Sequence, residues 1–421
     1  MAYDYIALGV FAVAYLLFIL LPHHRWLVGL VGVAILLLSR TVSSAAALEM
    51  VNWNVMGVFV GTVVLADLFV LSNMPAFLAE RMIRHIPRTA LAMLAVCTLT
   101  GLLSCAVENV ATVLIIAPVA LAMTRKLDIS PVPLMIGVTV SSNLQGAATL
   151  IGDPPSMLLA AYNRMGFTDF FWYHGRPSLF FAVQIGALAS LVVLYCFYRR
   201  YRQVMVLELR DRYNSMVPSL LMMGLIAGLS VSSFFDPDFV WLAGALSVIF
   251  GMAGLTWYAG AGGKLRPMVT KLDWQTVVFL GCVFVLVGSL AERHWLEKVA
   301  SGLGAVTANG PLAAFVMMVG FSVVVSAFVD NVPYLAAMLP VAHSLAADLG
   351  QSPTLLMFGL LIGASIGGNI TPIGASANIV AVGYLKQRGY HVTFWDFVRI
   401  GLPFSVVAVV AASAFVWLVW A

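Results

Sequence analysis

Two short stretches lying 222 residues apart hold the residue types that could do chemistry in this chain: Val107-Glu108-Asn109-Val110 and Val329-Asp330-Asn331-Val332. Each sets a carboxylate beside an amide inside a long apolar run. A charged side chain at membrane depth costs on the order of 3 kcal/mol, so acids found there carry protons, bind cations or pair with a base. Glu108 and Asp330 are therefore candidates for proton coupling or ion binding, and Asn109 and Asn331 are placed to cap the returning helix and to offer amide ligands. Asp67, near the end of another apolar run, is a further acid of this kind, or else a snorkelling one.

Two glycine- and proline-rich interruptions complete the set, Asn143 to Ser156 (NLQGAATLIGDPPS) and Gly363 to Asn378 (GASIGGNITPIGASAN). Irregular backbone at membrane depth survives only where protein or a water-filled cavity satisfies its polar groups. Asp153, followed by Pro154 and Pro155, has the form of a helix cap with proline at the first helical positions, and its carboxylate is a further candidate for ion binding or proton coupling. Thr149, Gly152, Ser156, Thr371, Gly374, Ser376 and Asn378 add hydroxyl, amide and backbone ligands. Neither interruption holds a Lys, Arg or His. Such a donor set suits a cation, a proton or a small neutral polyhydroxyl solute; a multiply charged organic anion would need accompanying cations. Cys105, four residues before the first corner, could offer a thiolate to a metalloid or simply pack as a small residue, and Ala327 occupies its position in the second stretch. Cys97, Cys105, Cys196 and Cys282 are isolated in apolar runs, without metal-ligand or redox spacing.

The elements that must position these groups are membrane helices. With 62% hydrophobic and 10% charged residues and a mean hydropathy of +1.00, the chain cannot be one soluble core. Apolar segments are expected near 5–21, 26–39, 54–72, 90–106, 110–124, 132–164, 177–199, 216–234, 239–258, 274–290, 312–328, 333–347, 354–385 and 398–420. The segments 132–164 and 354–385 are broken by the interruptions above. The first segment lacks a basic leader and a small-residue cleavage site, which predicts a retained helix. Dispersed basic residues and a formal charge of +4 do not suggest a nucleic-acid surface.

The 222-residue shift extends well beyond the corners. It superposes Ser104 on Ser326, Pro118 on Pro340, Ser130-Pro131 on Ser352-Pro353, Gly146 on Gly368, Thr149 on Thr371 and Gly152 on Gly374. Asn, Pro, Ser, Thr and Gly rarely coincide by chance at one offset, so the chain is a duplication. Joints at 22–25, 73–90, 124–131, 199–215, 259–273 and 386–399 hold 17 of the 22 Lys and Arg, which predicts a cytoplasmic side. Five full crossings then separate the corners, and this odd number makes the repeat inverted. Legs of about 16 residues reach about 24 Å at 1.5 Å each, which favours re-entrant hairpins. The expected fold is an all-α polytopic membrane protein of about 10 full spans plus two re-entrant hairpins, or 12 conventional segments. Its divisions are 1–48 (scaffold helices), 49–176 (first repeat, hairpin 90–124, broken helix 132–164), 177–272 (scaffold and connecting helices) and 273–421 (second repeat, hairpin 312–347, broken helix 354–385, last helix).

The corners VENVAT and VDNVPY, with NLQGAATLIGDPPS and GGNITPIGASAN, resemble the ion-transporter superfamily. The branch is the one holding ArsB arsenite/antimonite efflux proteins, NhaD-type sodium/proton antiporters and the P-protein. The resemblance implies an elevator-type transporter, with ion or substrate sites at Asn109 and Leu150 to Asp153 and at Asn331 and Pro372 to Ser376. The Ser-Asn-Thr tips of related dicarboxylate transporters are absent here. The leading expectation is proton-coupled efflux of arsenite or antimonite across a bacterial inner (cytoplasmic) membrane. The alternatives are sodium/proton antiport and another anion or dicarboxylate permease; a channel or scaffold is a third class, which the paired broken helices oppose. No enzyme, cofactor or nucleotide loop is expected, so any ATP dependence would need a separate ATPase subunit. Expected partners are the inorganic solute or Na+, protons and the bilayer, with a second copy of the chain as an open alternative.

Overall fold

The computed structural model describes residues 2–21, 24–84, 86–203, 213–293, 295 and 310–421, so residues 204–212 of the basic joint 199–215 lie outside the described residues. The first half runs α1 (Ala2–Leu20), α2 (Arg25–Leu38), α3 (Ser44–Met50), α4 (Trp53–Leu71), α5 (Met74–Ile83), α6 (Thr89–Ser104), α7 (Asn109–Lys126), α8 (Val132–Gly146), α9 (Pro154–Asn163) and α10 (Leu179–Tyr198). The second runs α11 (Val217–Phe235), α12 (Leu242–Gly260), α13 (Leu265–Lys271), α14 (Trp274–Ala291), α15 (Pro311–Ser326), α16 (Asn331–Asp348), α17 (Pro353–Gly367), α18 (Ser376–Lys386) and α19 (Phe394–Trp420). The short helices α3, α5 and α13 were not expected, because about two or three turns between the long segments leave no long apolar run to detect. A two-residue antiparallel pair, Trp172–Tyr173 with Arg176–Pro177, is the one departure from all-helical structure among the described residues.

Local chemistry repeats between the halves. Trp53 Nε1 donates to the Leu48 carbonyl at 3.0 Å, and Trp274 Nε1 donates to Val269 at 2.7 Å. Asn52 and Asp273 cap the following helices by accepting from the Val55 and Thr276 amides. The packing repeats too: α4 lies on α12 and α14 on α2, while α6 and α7 flank α8 as α15 and α16 flank α17. The second half-helix of each break crosses over, α18 packing on α7 and α9 on α16.

Small residues set the closest approaches, as van der Waals packing between membrane helices requires. A Cβ on Gly61 of α4 would stand 2.2 Å from the Ser247 backbone of α12, and one on Gly57 would meet Gly244 Cα at 2.9 Å. Among the described residues seven helices are long and apolar enough to cross a membrane: α4, α7, α10, α11, α12, α14 and α19. Large apolar side chains such as Leu188, Phe234 and Leu418 are exposed on the outside of this bundle, a surface that belongs in lipid.

Candidate functional site

Each corner is a helix cap built from its acid. Glu108, at φ −51° and ψ 143°, accepts the Ala111 amide on Oε2 at 3.0 Å. Asp330, at φ −56° and ψ 137°, accepts the Val332 amide on Oδ1 at 3.1 Å. The cap therefore falls one residue earlier than the asparagines expected to provide it. The extended ψ of the acid turns its carboxylate onto the free amides of the first turn, and Asn109 and Asn331 become the first helical residues. Asn109 is buried, and its Oδ1 accepts from Ser104 Oγ at 2.6 Å. It also lies against Gly146, where a Cβ would come within 2.3 Å of that oxygen.

The two breaks are fastened to the hairpins by matching contacts. Thr149 Oγ1 donates to the Cys105 carbonyl, and Thr371 Oγ1 donates to Ala327. A Cβ on Gly152 would lie 2.3 Å from the Gly146 carbonyl oxygen and 2.8 Å from that of Ser104. One on Gly374 would lie 2.6 Å from Gly368 O and 2.8 Å from Ala327 O. These four residues, expected as solute ligands, do not border the cavity described below. Their hydroxyls and missing side chains are used to bring loop and hairpin backbones together. Thr149→Val and Thr371→Val should each lower stability by about 1 kcal/mol, the net worth of one hydrogen bond, and leave solute preference unchanged. Melting of the purified variants beside a selectivity assay checks this; a changed preference with unchanged melting would return the hydroxyls to the list of ligands.

Asp153 caps α9 as its sequence suggests. Its Oδ1 accepts from the Ser156 amide at 3.1 Å and from Ser156 Oγ at 2.7 Å, with Pro154 and Pro155 opening the helix. The residue is 1% exposed, and Oδ2 has no hydrogen-bond partner among the described residues. In the second half Ala375 takes this position and α18 has no side-chain cap.

A buried amide triad joins the breaks: Asn378 was expected as a ligand, whereas the sequence reading singled out neither Asn143 nor Asn369. Asn143 Nδ2 donates to Asn369 Oδ1 and to Asn378 Oδ1, both at 2.8 Å, and Asn369 Nδ2 donates to the Val140 carbonyl at 3.1 Å. Asn378 Nδ2 donates in turn to Gly368 and Thr371 carbonyls at 2.8 Å. Thus Asn378 is committed to holding the break, and of this triad only Asn143 reaches the cavity wall. The polar run Ser141-Ser142-Asn143 inside an apolar segment was the available signal.

Both corners, the start of α9 and the start of α18 open on one cavity of about 480 Å³. Its wall includes Glu108, Asn109, Asn143, Asp153, Asp330, Asn331 and Ser376, and Asp67 enters from α4. Lys271, Asp273 and Gln275 are exposed and form the mouth. Cys105 is not on the wall; its Sγ donates to Gln145 Oε1 at 3.2 Å. The main surprise is Arg25. Assigned by sequence to a basic joint, it starts α2 and sends Nη1 to within 2.5 Å of Asp330 Oδ2, where Ser376 Oγ also donates at 3.4 Å. Five carboxylates (Asp67, Glu108, Asp153, Asp273, Asp330) thus share the cavity with two bases, Arg25 and Lys271. The wall is net acidic.

A polytopic helical bundle with paired hairpins and broken helices around an acid-rich cavity has the architecture of a secondary transporter. The profile of the CitMHS family, described as citrate transporter, matches residues 15–363 and 308–421, and the chain belongs to that family. It is 28% identical over 434 residues to a 46 kDa membrane protein of Mycobacterium leprae, covering 98% of each chain. It is also 28% identical over 437 residues to an uncharacterized transporter of Mycobacterium tuberculosis, again covering 98% of each. The human P protein is 26% identical across 96% of this chain, which spans 58% of that protein's length. Two solved structures share the fold: the Alcanivorax borkumensis YdaH transporter (TM-score 0.58, 14% identity, 86% of this chain and 84% of that one) and Neisseria gonorrhoeae MtrF (0.57, 12%, 86% and 80%). The chain is a multi-pass integral protein of a bacterial membrane. The P-protein resemblance is present among these relatives, and the matched family's description names citrate rather than arsenite.

Proposed function

We propose that the chain is an ion-coupled secondary transporter exchanging protons against a small cation, with sodium/proton antiport as the first reading. The observation that carries this is the charge of the cavity, five carboxylates against two bases. Such a wall attracts cations and lets protons compete for the same oxygens. Arsenite or antimonite efflux becomes the second reading. An uncharged trihydroxide needs free hydroxyl and amide groups, and Thr149, Thr371 and Asn378 spend theirs on backbone carbonyls. A tricarboxylate of the kind the family description names would enter this cavity only with cations beside it.

The repeated packing supports an inverted repeat of two units, α1–α10 and α11–α19. This division is simpler than the four segments expected from sequence. In an inverted pair the end of α4 and the start of α14 lie on one side, and both line the mouth beside basic joints, as an inward-open state requires. We place the hairpins, the broken helices, α10 and α19 in the moving unit of an elevator, because these helices pack chiefly on one another. The hairpins remain re-entrant in this reading, and the full spans number about 10.

Reconstituted vesicles carrying a trapped pH indicator decide the cargo. Adding sodium should release protons, with a smaller response to arsenite or citrate at either of two pH values. Indifference to sodium together with proton movement driven by arsenite or citrate would sink the first reading.

A further inference from the structure

The two corners are related by sequence but not by charge. Asp330 meets Arg25 at 2.5 Å, and Arg25 belongs to α2 while Asp330 sits at the corner of the second hairpin. A second tie reaches the same hairpin from the neighbouring helix: Tyr15 Oη of α1 donates to the Pro333 carbonyl at 2.6 Å. Glu108 has no such base. Among the described residues its hydrogen bonding is confined to the first turn of its own helix, and no Lys or Arg lies within salt-bridge reach. Around it in the cavity are Asp67 from α4, Asp153 at the start of α9, Lys271 and Asp273 ahead of α14, and, at the other corner, the paired Arg25 and Asp330. The acid nearest in sequence logic to a ligand is Asp153, 99% buried with one carboxylate oxygen unpartnered among the described residues. In the second half that carboxylate is missing altogether, since Ala375 replaces it.

We propose that Arg25 breaks the equivalence of the two corners: it neutralises Asp330 and ties the second hairpin to α2, leaving Glu108 and Asp153 of the first half to take up the exchanged proton or cation. This rests on the ion-coupled reading above and names which acids carry it. An unpaired carboxylate in a poorly solvated wall must find a cation or a proton, and a paired one need not. Arg25 is then a positioning residue. It sets the number of exchangeable charges without being one of them.

The test needs no transported solute, so its failure is distinguishable from failure of the sodium reading. Full-length protein in lipid nanodiscs would be examined by infrared difference spectroscopy between acidic and neutral pH, following the C=O band of protonated carboxyl groups. The wild-type chain should show such a band. Glu108→Gln with Asp153→Asn should remove most of it, leaving what Asp67 and the exposed acids contribute, and Asp330→Asn should keep it. Arg25→Gln should add intensity from the released Asp330, and Arg25→Gln with Asp330→Asn should return the spectrum to that of the wild type. The last variant also guards against misfolding, because it removes both members of the ion pair rather than stranding one. A wild-type spectrum with no titrating carboxyl band, or a band that vanishes in Asp330→Asn and survives loss of Glu108 and Asp153, would overturn the proposal.

Discussion

Replacing Glu108 by glutamine is expected to cut ion-driven proton movement at least about a hundredfold, equivalent to about 2.7 kcal/mol of lost coupling, while leaving a folded protein. The substitution keeps the shape and an oxygen able to accept the Ala111 amide, now 3.0 Å from Oε2. Its cost to the helix cap should stay near 1 kcal/mol or less. What disappears is the negative charge on the cavity wall. Glu108→Asp should retain part of the activity, because it keeps the charge and shifts it by one methylene. Initial rates of proton release from vesicles, normalised to inserted protein, provide the measurement. Wild-type rates in Glu108→Gln would mean that the corner acid serves only as a cap.

Within the broken helices a large structural effect is expected at Gly152. A methyl group there would collide with two carbonyl oxygens, Gly146 O at 2.3 Å and Ser104 O at 2.8 Å, and neither belongs to a movable side chain. Overpacking typically costs about 1–3 kcal/mol, and with backbone on both sides the cost should reach or exceed the upper end. Gly374→Ala should behave alike, facing Gly368 O at 2.6 Å and Ala327 O at 2.8 Å. Gly383→Ala on α18 is the control: nothing lies within 4 Å, so the change should be neutral or stabilising by up to about 1 kcal/mol through helix propensity. Because Gly152 adjoins Asp153, its variant should lose transport along with stability. Thermal melting and gel-filtration yield of the three detergent-purified variants give the comparison. Equal melting of Gly152→Ala and Gly383→Ala would refute the close-packed break.

Much of this site was legible before folding. Gly152 and Gly374 coincide at the 222-residue shift because the duplicated loop meets the duplicated hairpin at the same carbonyls, and the shift showed that identity directly. Asp153 announced its cap because proline at the first helical positions admits few alternatives. The cap at each corner was read one residue late. Acid and amide are both competent there, and the choice depends on ψ at the corner, which no residue type dictates.

By itself, the sequence determined that the chain is a membrane protein, that it is duplicated, and that two acidic corners and two broken helices are its polar interior. These follow from composition, period and offset, which are properties along the chain. Only the tertiary structure decided which polar groups are free. Thr149, Thr371 and Asn378 proved committed to carbonyls, and Arg25 arrived at Asp330 from 305 residues away. An arginine at the head of a span satisfies the positive-inside pattern whether it faces water or an acid across a cavity. Its role depends on which helix end the second hairpin meets, and that is settled by packing between elements rather than by anything local to residue 25.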